Sequence, residues 1–127
     1  MGKKVDAFTT YGNTKPEYVV DGIKDDDSKR WISTANGNAG VIIDLGGLYK
    51  VESVVIYSGE NNGTSKFVTS VSVECMEGYY GKTESINSYR YVYYLKGKPE
   101  VSNLWIWFTS NTTNRIYEIE VYGERVK

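Results

Sequence analysis

The chain is predicted to be all-β, an antiparallel β-sandwich of two sheets wound as a jelly roll. Three observations predict it. Apolar residues recur with a period of two along five of six separate runs. β-branched and aromatic residues fill those runs, as a half-buried pleated surface favours. Thirteen glycines against two prolines, Pro16 and Pro99, provide tight turns between many strands. No segment keeps a helical period over three turns.

The runs follow in order. Residues 41–45 form a short apolar stretch closed by Gly46-Gly47. Residues 51–57 alternate, with Val54 and Ile56 on one face and Val55 and Tyr57 on the other. Phe67, Thr69, Val71 and Val73 share a parity opposite to Ser70, Ser72 and Glu74. Tyr89, Tyr91 and Tyr93 share a face opposite Tyr94. Leu104, Ile106 and Phe108 alternate with Trp105 and Trp107, and Ile119 and Val121 with Glu118, Glu120 and Tyr122. Between these runs, Glu77-Gly78-Tyr79-Tyr80-Gly81 reads as a hairpin tip carrying two exposed aromatics. There is no internal repeat, linker or low-complexity stretch, so residues 1–127 are expected to form one domain, with 1–5 as a flexible tail.

Composition removes several function classes. Fifteen basic and sixteen acidic residues leave a net charge of −1, and no Lys/Arg stripe tracks a phosphate backbone, so neither nucleic acid nor an anionic membrane is an expected partner. No apolar run is long enough to span a bilayer, and Met1-Gly2-Lys3-Lys4 lacks the apolar core of a signal peptide. A single cysteine, Cys75, excludes an internal disulfide and sits in an alternating run that favours a buried thiol. With no histidine, the commonest general base, the Ser-His and Cys-His pairs and histidine-bearing zinc sites are all missing. No pair of carboxylates stands in a strand-end context suited to glycoside cleavage. Binding rather than catalysis is the expected function.

Four sequence pieces stand in register: Val20-Asp21-Gly22, then Ser28-Lys29-Arg30-Trp31, then Ile43-Asp44-Leu45-Gly46, and finally Glu118-Ile119-Glu120-Val121-Tyr122-Gly123. Together they resemble the discoidin-type, coagulation factor 5/8 C-terminal domain, of galactose-binding-domain-like fold, and are most similar to the family 32 carbohydrate-binding modules of bacterial glycan-degrading enzymes. The resemblance implies a buried tryptophan at Trp31. It also implies a non-catalytic module that holds a larger bacterial glycan-active enzyme or surface protein to a terminal sugar by raising effective concentration. Such a module would be a monomeric, extracellular or cell-surface part of a longer chain. The alternative within the same resemblance is an adhesion domain that binds protein or lipid. Lipid-binding members carry apolar spikes beside basic residues, whereas the corresponding segments here are polar.

The resemblance further implies a structural calcium ion held by side-chain oxygens of Asp21 and Glu118 and by carbonyls of Asp26 and Lys29. Calcium takes six to eight hard oxygens, and carboxylates with turn carbonyls provide them. About three extra residues separate Asp21 from Trp31, and Lys29 stands where a hydroxyl residue is usual; the alternative is an acidic turn in which Asp21 caps its own backbone.

The resemblance to family 32 modules implies that the sugar sits at one end of the sandwich on three polar loops: 33–38 with Asn36 and Asn38, 58–64 with Glu60, Asn61 and Asn62, and 110–115 with Asn114 and Arg115. Amides and hydroxyls donate and accept together, as a ring of sugar hydroxyls requires, although the same residues are common in plain turns. The histidine, arginine and aromatic of galactose-binding members are missing; Glu60 stands near the arginine position, and Asn62 keeps that segment's asparagine. A carboxylate accepts well from vicinal hydroxyls, so a neutral sugar is expected. Tyr80, with Tyr79, is a separate stacking candidate on the hairpin.

Overall fold

Two long strands organise the molecule, and both are shared between its two layers. The computed structural model describes residues 4–7, 31–58, 70–86 and 88–126, with side chains at 4–7, 32–39 and 110–114 outside the description. The strands are β1 (Lys4–Ala7), β2 (Trp31–Ser58), β3 (Ser70–Glu74), β4 (Glu84–Ser85), β5 (Arg90–Tyr94) and β6 (Glu100–Arg125), and the described residues contain no helix.

Residues 31–44 of β2 lie beside 103–116 of β6, with Val41 opposite Ile106 and Ile43 opposite Leu104. Partner numbers fall as β2 rises, so these neighbours run in opposite senses. The chain then bends at 45–48. The Gly46 amide donates to Asp44 Oδ1 at 2.9 Å, and Gly46 takes φ 75°, which only a residue without Cβ adopts freely. That is the physical content of the Asp-Leu-Gly piece. Beyond the bend, residues 49–58 lie beside 116–125 of β6, with Val54 opposite Val121 and Ile56 opposite Ile119.

One layer therefore runs β1, the first half of β2, the first half of β6, β3 and β4; the other joins the second halves of β2 and β6 to β5. Apolar side chains from both layers meet between them. Val41, Ile43, Val71, Val73, Leu104, Ile106 and Phe108 come from the first layer, and Val54, Ile56, Tyr93 and Ile119 from the second. Each such side chain taken out of water stabilises by about 1.5–3 kcal/mol. Trp31 is fully buried in this core, 6.2 Å from the Phe108 ring. The β-sandwich expected from the period-two patterning is the fold observed.

Most parities hold. Leu104, Ile106 and Phe108 are buried, while Trp105 and Trp107 lie half-buried on the other face. Trp107 packs over Gly40, its cross-strand partner, where an added Cβ would lie 2.8 Å from the ring, and its indole N–H donates to Glu74 at 3.2 Å. Cys75 is buried, as expected, and its Sγ accepts from the Tyr79 amide. Three expectations change. Lys4 and Val5 pair with Asp44 and Ile43, so the segment expected as a tail already contributes to β1. The backbones of 33–38 and 110–115, expected as loops, lie within β2 and β6. Tyr89 precedes β5 and leaves the Tyr91–Tyr93 face; it packs instead with Tyr57 and Tyr117 in a second buried cluster with Val55 and Val92.

Candidate functional site

The strand pairing brings the ends of the three polar segments together. Trp31 and Ser58 both pair with Ile116, so the chain leaves Trp31 into 32–38, leaves Ser58 into 59–64, and reaches Ile116 from 110–115, all at one end of the sandwich. Within the first and third segments, Asn36 lies opposite Thr113, Gly37 opposite Ser110, and Asn38 opposite Thr109. Asn114 follows Thr113 in β6, and Arg115 pairs with Ile32 and is half-buried. Glu60, Asn61 and Asn62 lie outside the described residues, two to four positions beyond Ser58.

A rigid base underlies this end. Tyr57, Tyr89 and Tyr117 pack with tilted and edge-on rings whose centroids lie 5.4 and 5.9 Å apart, and the Arg90 guanidinium lies 6.0 Å from the Tyr57 ring. The Tyr57 hydroxyl accepts from Arg90 Nε at 3.2 Å and donates to Glu120 at 3.3 Å. Ser58 is fully buried, its amide donates to the Tyr89 carbonyl, and its hydroxyl has no hydrogen-bond partner among the described residues. Leaving a buried hydroxyl unsatisfied costs about 1–3 kcal/mol, a cost that native structures seldom carry without a reason. Sequence reading missed this aromatic base. Its signal was the odd-parity pair Val55 and Tyr57, followed across the sheet by Tyr117.

The acidic set stands differently. Asp21, Asp26 and Lys29 lie outside the described residues. Glu118 opposes Tyr57 in the second layer and is only 2 % exposed. A carboxylate is buried this deeply only when other groups compensate its lost hydration. Among the described residues, no group of three or more metal-ligating side chains gathers.

Tyr80 belongs to neither place. The hairpin after β3 turns through Met76, Glu77 and Gly78, with the Cys75 amide donating to the Tyr79 carbonyl and the Gly78 amide to the Cys75 carbonyl. Gly78 at φ 104° completes this three-residue turn. The Met76 amide donates to Asn103, which fixes the hairpin at the Asp44 and Asn103 end of the first layer, opposite the three polar segments. Tyr80 is 75 % exposed, as expected, whereas Tyr79 is half-buried and its hydroxyl accepts from the Lys96 amide.

Two stacked layers, with the strand ends at Trp31, Ser58 and Ile116 brought together, define a β-sandwich. The family model of the F5/8 type C domain matches residues 4–83, well over half of the chain, and the protein belongs to that family. No curated protein matches it in sequence. Several solved structures share its fold. The lectin domain of lectinolysin complexed with Lewis B antigen superposes with a TM-score of 0.74 at 20 % identity, over 95 % of this chain and 92 % of that one. A fucose-binding module of Streptococcus pneumoniae gives a TM-score of 0.72 at 20 % identity, over 96 % and 94 %. A family 89 glycoside hydrolase of Clostridium perfringens gives 0.76 at 18 % identity over 99 % of this chain; the chain spans 14 % of the length of that enzyme.

Proposed function

We propose that the chain is a non-catalytic carbohydrate-binding module that holds a larger glycan-active or surface protein to a terminal, neutral sugar outside the cell. The observation that carries this reading is the meeting of Trp31, Ser58 and Ile116, which starts three amide- and hydroxyl-rich segments from one place. Two structural neighbours of full domain length support it: the lectin domain solved with Lewis B antigen and the fucose-binding module. The neighbouring hydrolase, far longer than this chain, supports a role beside a catalytic unit.

In this reading Asn36, Asn38, Asn61, Asn62 and Asn114 present paired donors and acceptors to sugar hydroxyls, Glu60 accepts from vicinal hydroxyls, and Arg115 donates. The aromatic base of Tyr57, Tyr89 and Tyr117 keeps the strand ends fixed, so little conformational entropy is lost on binding. A structural calcium ion, held by Asp21, Asp26, Lys29 and Glu118, belongs to the same proposal. The donor set is all hard oxygen, and Glu118 is a buried carboxylate that a cation would stabilise. When bound, the ion would tie the segment before Trp31 to the last half of β6.

A glycan array containing fucosylated and galactosylated structures tests the reading. Binding to a neutral glycan that Asn62→Ala weakens at least tenfold, with an unchanged circular dichroism spectrum, is the expected outcome. An array without hits, with capture by phospholipid vesicles or a protein ligand, would replace it with the adhesion reading.

A further inference from the structure

The strongest unexplained feature lies on the side of the sandwich, away from the three polar segments. Residues 79–84, which flank the β3–β4 edge of the first layer, face the β5 edge of the second, and an open groove of about 380 Å³ runs between them. Its lining includes Tyr80, Tyr94, Lys82, Lys96 and Glu84.

The groove is held by the protein's own hydrogen bonds. The Tyr93 hydroxyl donates to the Lys82 carbonyl at 2.6 Å, the Lys96 amide donates to the Tyr79 hydroxyl at 3.1 Å, and the Tyr91 hydroxyl donates to Glu84. Those three tyrosines thus cross-link the layers. Tyr80 and Tyr94 do not share that duty: they are 75 % and 68 % exposed, among the few large apolar side chains so open. The backbone bridge between Glu74 and Tyr80, and the pairing of Tyr94 with Ser53, hold both rings on fixed main chain. Two aromatic faces mounted on paired main chain beside a groove of ligand size (pockets run roughly 300–1,000 Å³) favour a ring with an apolar face that stacks on them.

Charge selects among such rings. Glu84 is engaged by Tyr91, whereas Lys82 and Lys96 are exposed at the groove. Lys82 and Lys96 against Glu84 leave the lining with a net charge of +1, in a protein that is slightly acidic as a whole.

We propose that this lateral groove is a second saccharide site, taking a pyranose that carries an acidic group, with Tyr80 and Tyr94 stacking on its C–H face and Lys82 and Lys96 meeting its carboxylate. The site is separate from the neutral-sugar end and does not depend on it. It would give the module two points of attachment to a mixed or acidic glycan, where a second weak contact multiplies the first.

The test is amide-resolved NMR titration of the full chain with trigalacturonic acid, with maltotriose and hexaglutamate as probes of the alternatives. Trigalacturonic acid should shift the amides of Tyr80, Gly81, Lys82 and Lys96 saturably, and added salt should weaken the effect. Tyr94→Ala should reduce affinity at least tenfold, and so should Tyr80→Ala; both side chains are exposed, and the one-dimensional spectrum checks the fold. The double variant K82Q/K96Q should lose the preference for the acidic probe, while Asn62→Ala should leave this binding unchanged. Unshifted amides, an equal response to maltotriose, or full affinity in both tyrosine variants would overturn the proposal. Equal binding of hexaglutamate at the same amides would reassign the groove to an acidic peptide.

Discussion

Gly81 is the position where one added carbon tests how the two layers are joined. Its amide donates to the Val73 carbonyl at 2.7 Å, which holds the segment after the hairpin against β3. A Cβ built there meets the Tyr93 hydroxyl directly, and lies 2.8 Å from the Val73 carbonyl oxygen and 3.2 Å from Tyr93 Cζ. Tyr93 is 1 % exposed and its hydroxyl donates to the Lys82 carbonyl, so the ring has no free direction in which to yield. In Gly81→Ala the hydroxyl must leave its acceptor, at about 1–3 kcal/mol, or the backbone must move, at a similar cost for overpacking. The expected loss is about 2–5 kcal/mol. For a chain of this size that lowers Tm by roughly 6–25 °C. Urea unfolding followed by tyrosine and tryptophan fluorescence measures it. The mechanism makes a sharper demand through a double-mutant cycle. Tyr93→Phe removes the clashing oxygen but leaves the Val73 carbonyl contact, so the change should be mildly destabilising alone and recover part of the loss in the Gly81→Ala background, with a coupling of about 1–2 kcal/mol. A Gly81→Ala protein within 0.5 kcal/mol of the original, or a cycle without coupling, would show that Tyr93 does not pin the layers at this point.

Three other outcomes are expected. Burial, with the Glu84 contact second, pushes the Tyr91 phenol up to about 12, and burial, with the charge of Tyr79 second, does the same for Tyr93, both from an ordinary value of 10. The fold therefore holds these protons more tightly than the unfolded chain does; stability should be unaffected by them below pH 10 and fall as pH rises from 10 to 12. Ultraviolet titration should show the Tyr91 and Tyr93 phenols ionising at about pH 12, and their ionisation at pH 10 would contradict it. Gly123→Ala should cost about 1–3 kcal/mol in urea unfolding, because the new Cβ meets the Lys50 carbonyl and comes within 2.9 Å of Val51 Cα, neither of which is a side chain that can swing away. If calcium is structural, Asp21→Ala should lower Tm and a chelator should reproduce most of the loss in the original protein, since an ion bound only by the fold stabilises it. A chelator-insensitive melt with no ion in metal analysis would leave Asp21 as a turn residue.

Legibility in the sequence followed the range of the interaction. The alternation of Val54 with Val55, or of Ile106 with Trp107, is a local property of a pleated chain, and both pairs fall on the faces their parity assigns. The Asp44-Leu45-Gly46 piece is also local, since one side chain and one positive φ make the bend. Tyr89 breaks the rule because it stands just outside β5, where the period of two no longer binds it. Segments 33–38 and 110–115 read as loops from their Asn, Ser, Thr and Gly content, yet each finds a partner in the other, with Asn36 opposite Thr113 and Gly37 opposite Ser110. Composition describes what a residue prefers alone and not what lies opposite it.

Through its resemblance to the F5/8 type C family the sequence implied the buried place of Trp31. By itself it determined an all-β sandwich, the absence of histidine-based chemistry and the polar character of segments 33–38, 58–64 and 110–115. These follow from periodicity and inventory, which need no knowledge of distant contacts. Only the tertiary structure decided that Trp31, Ser58 and Ile116 share one end, that Gly81 must remain without a side chain, and that Tyr80 and Tyr94, fourteen residues apart in the chain, flank one groove. Each of these depends on which strand lies beside which. That choice is made by the summed burial of both layers, a quantity that no short window of sequence contains.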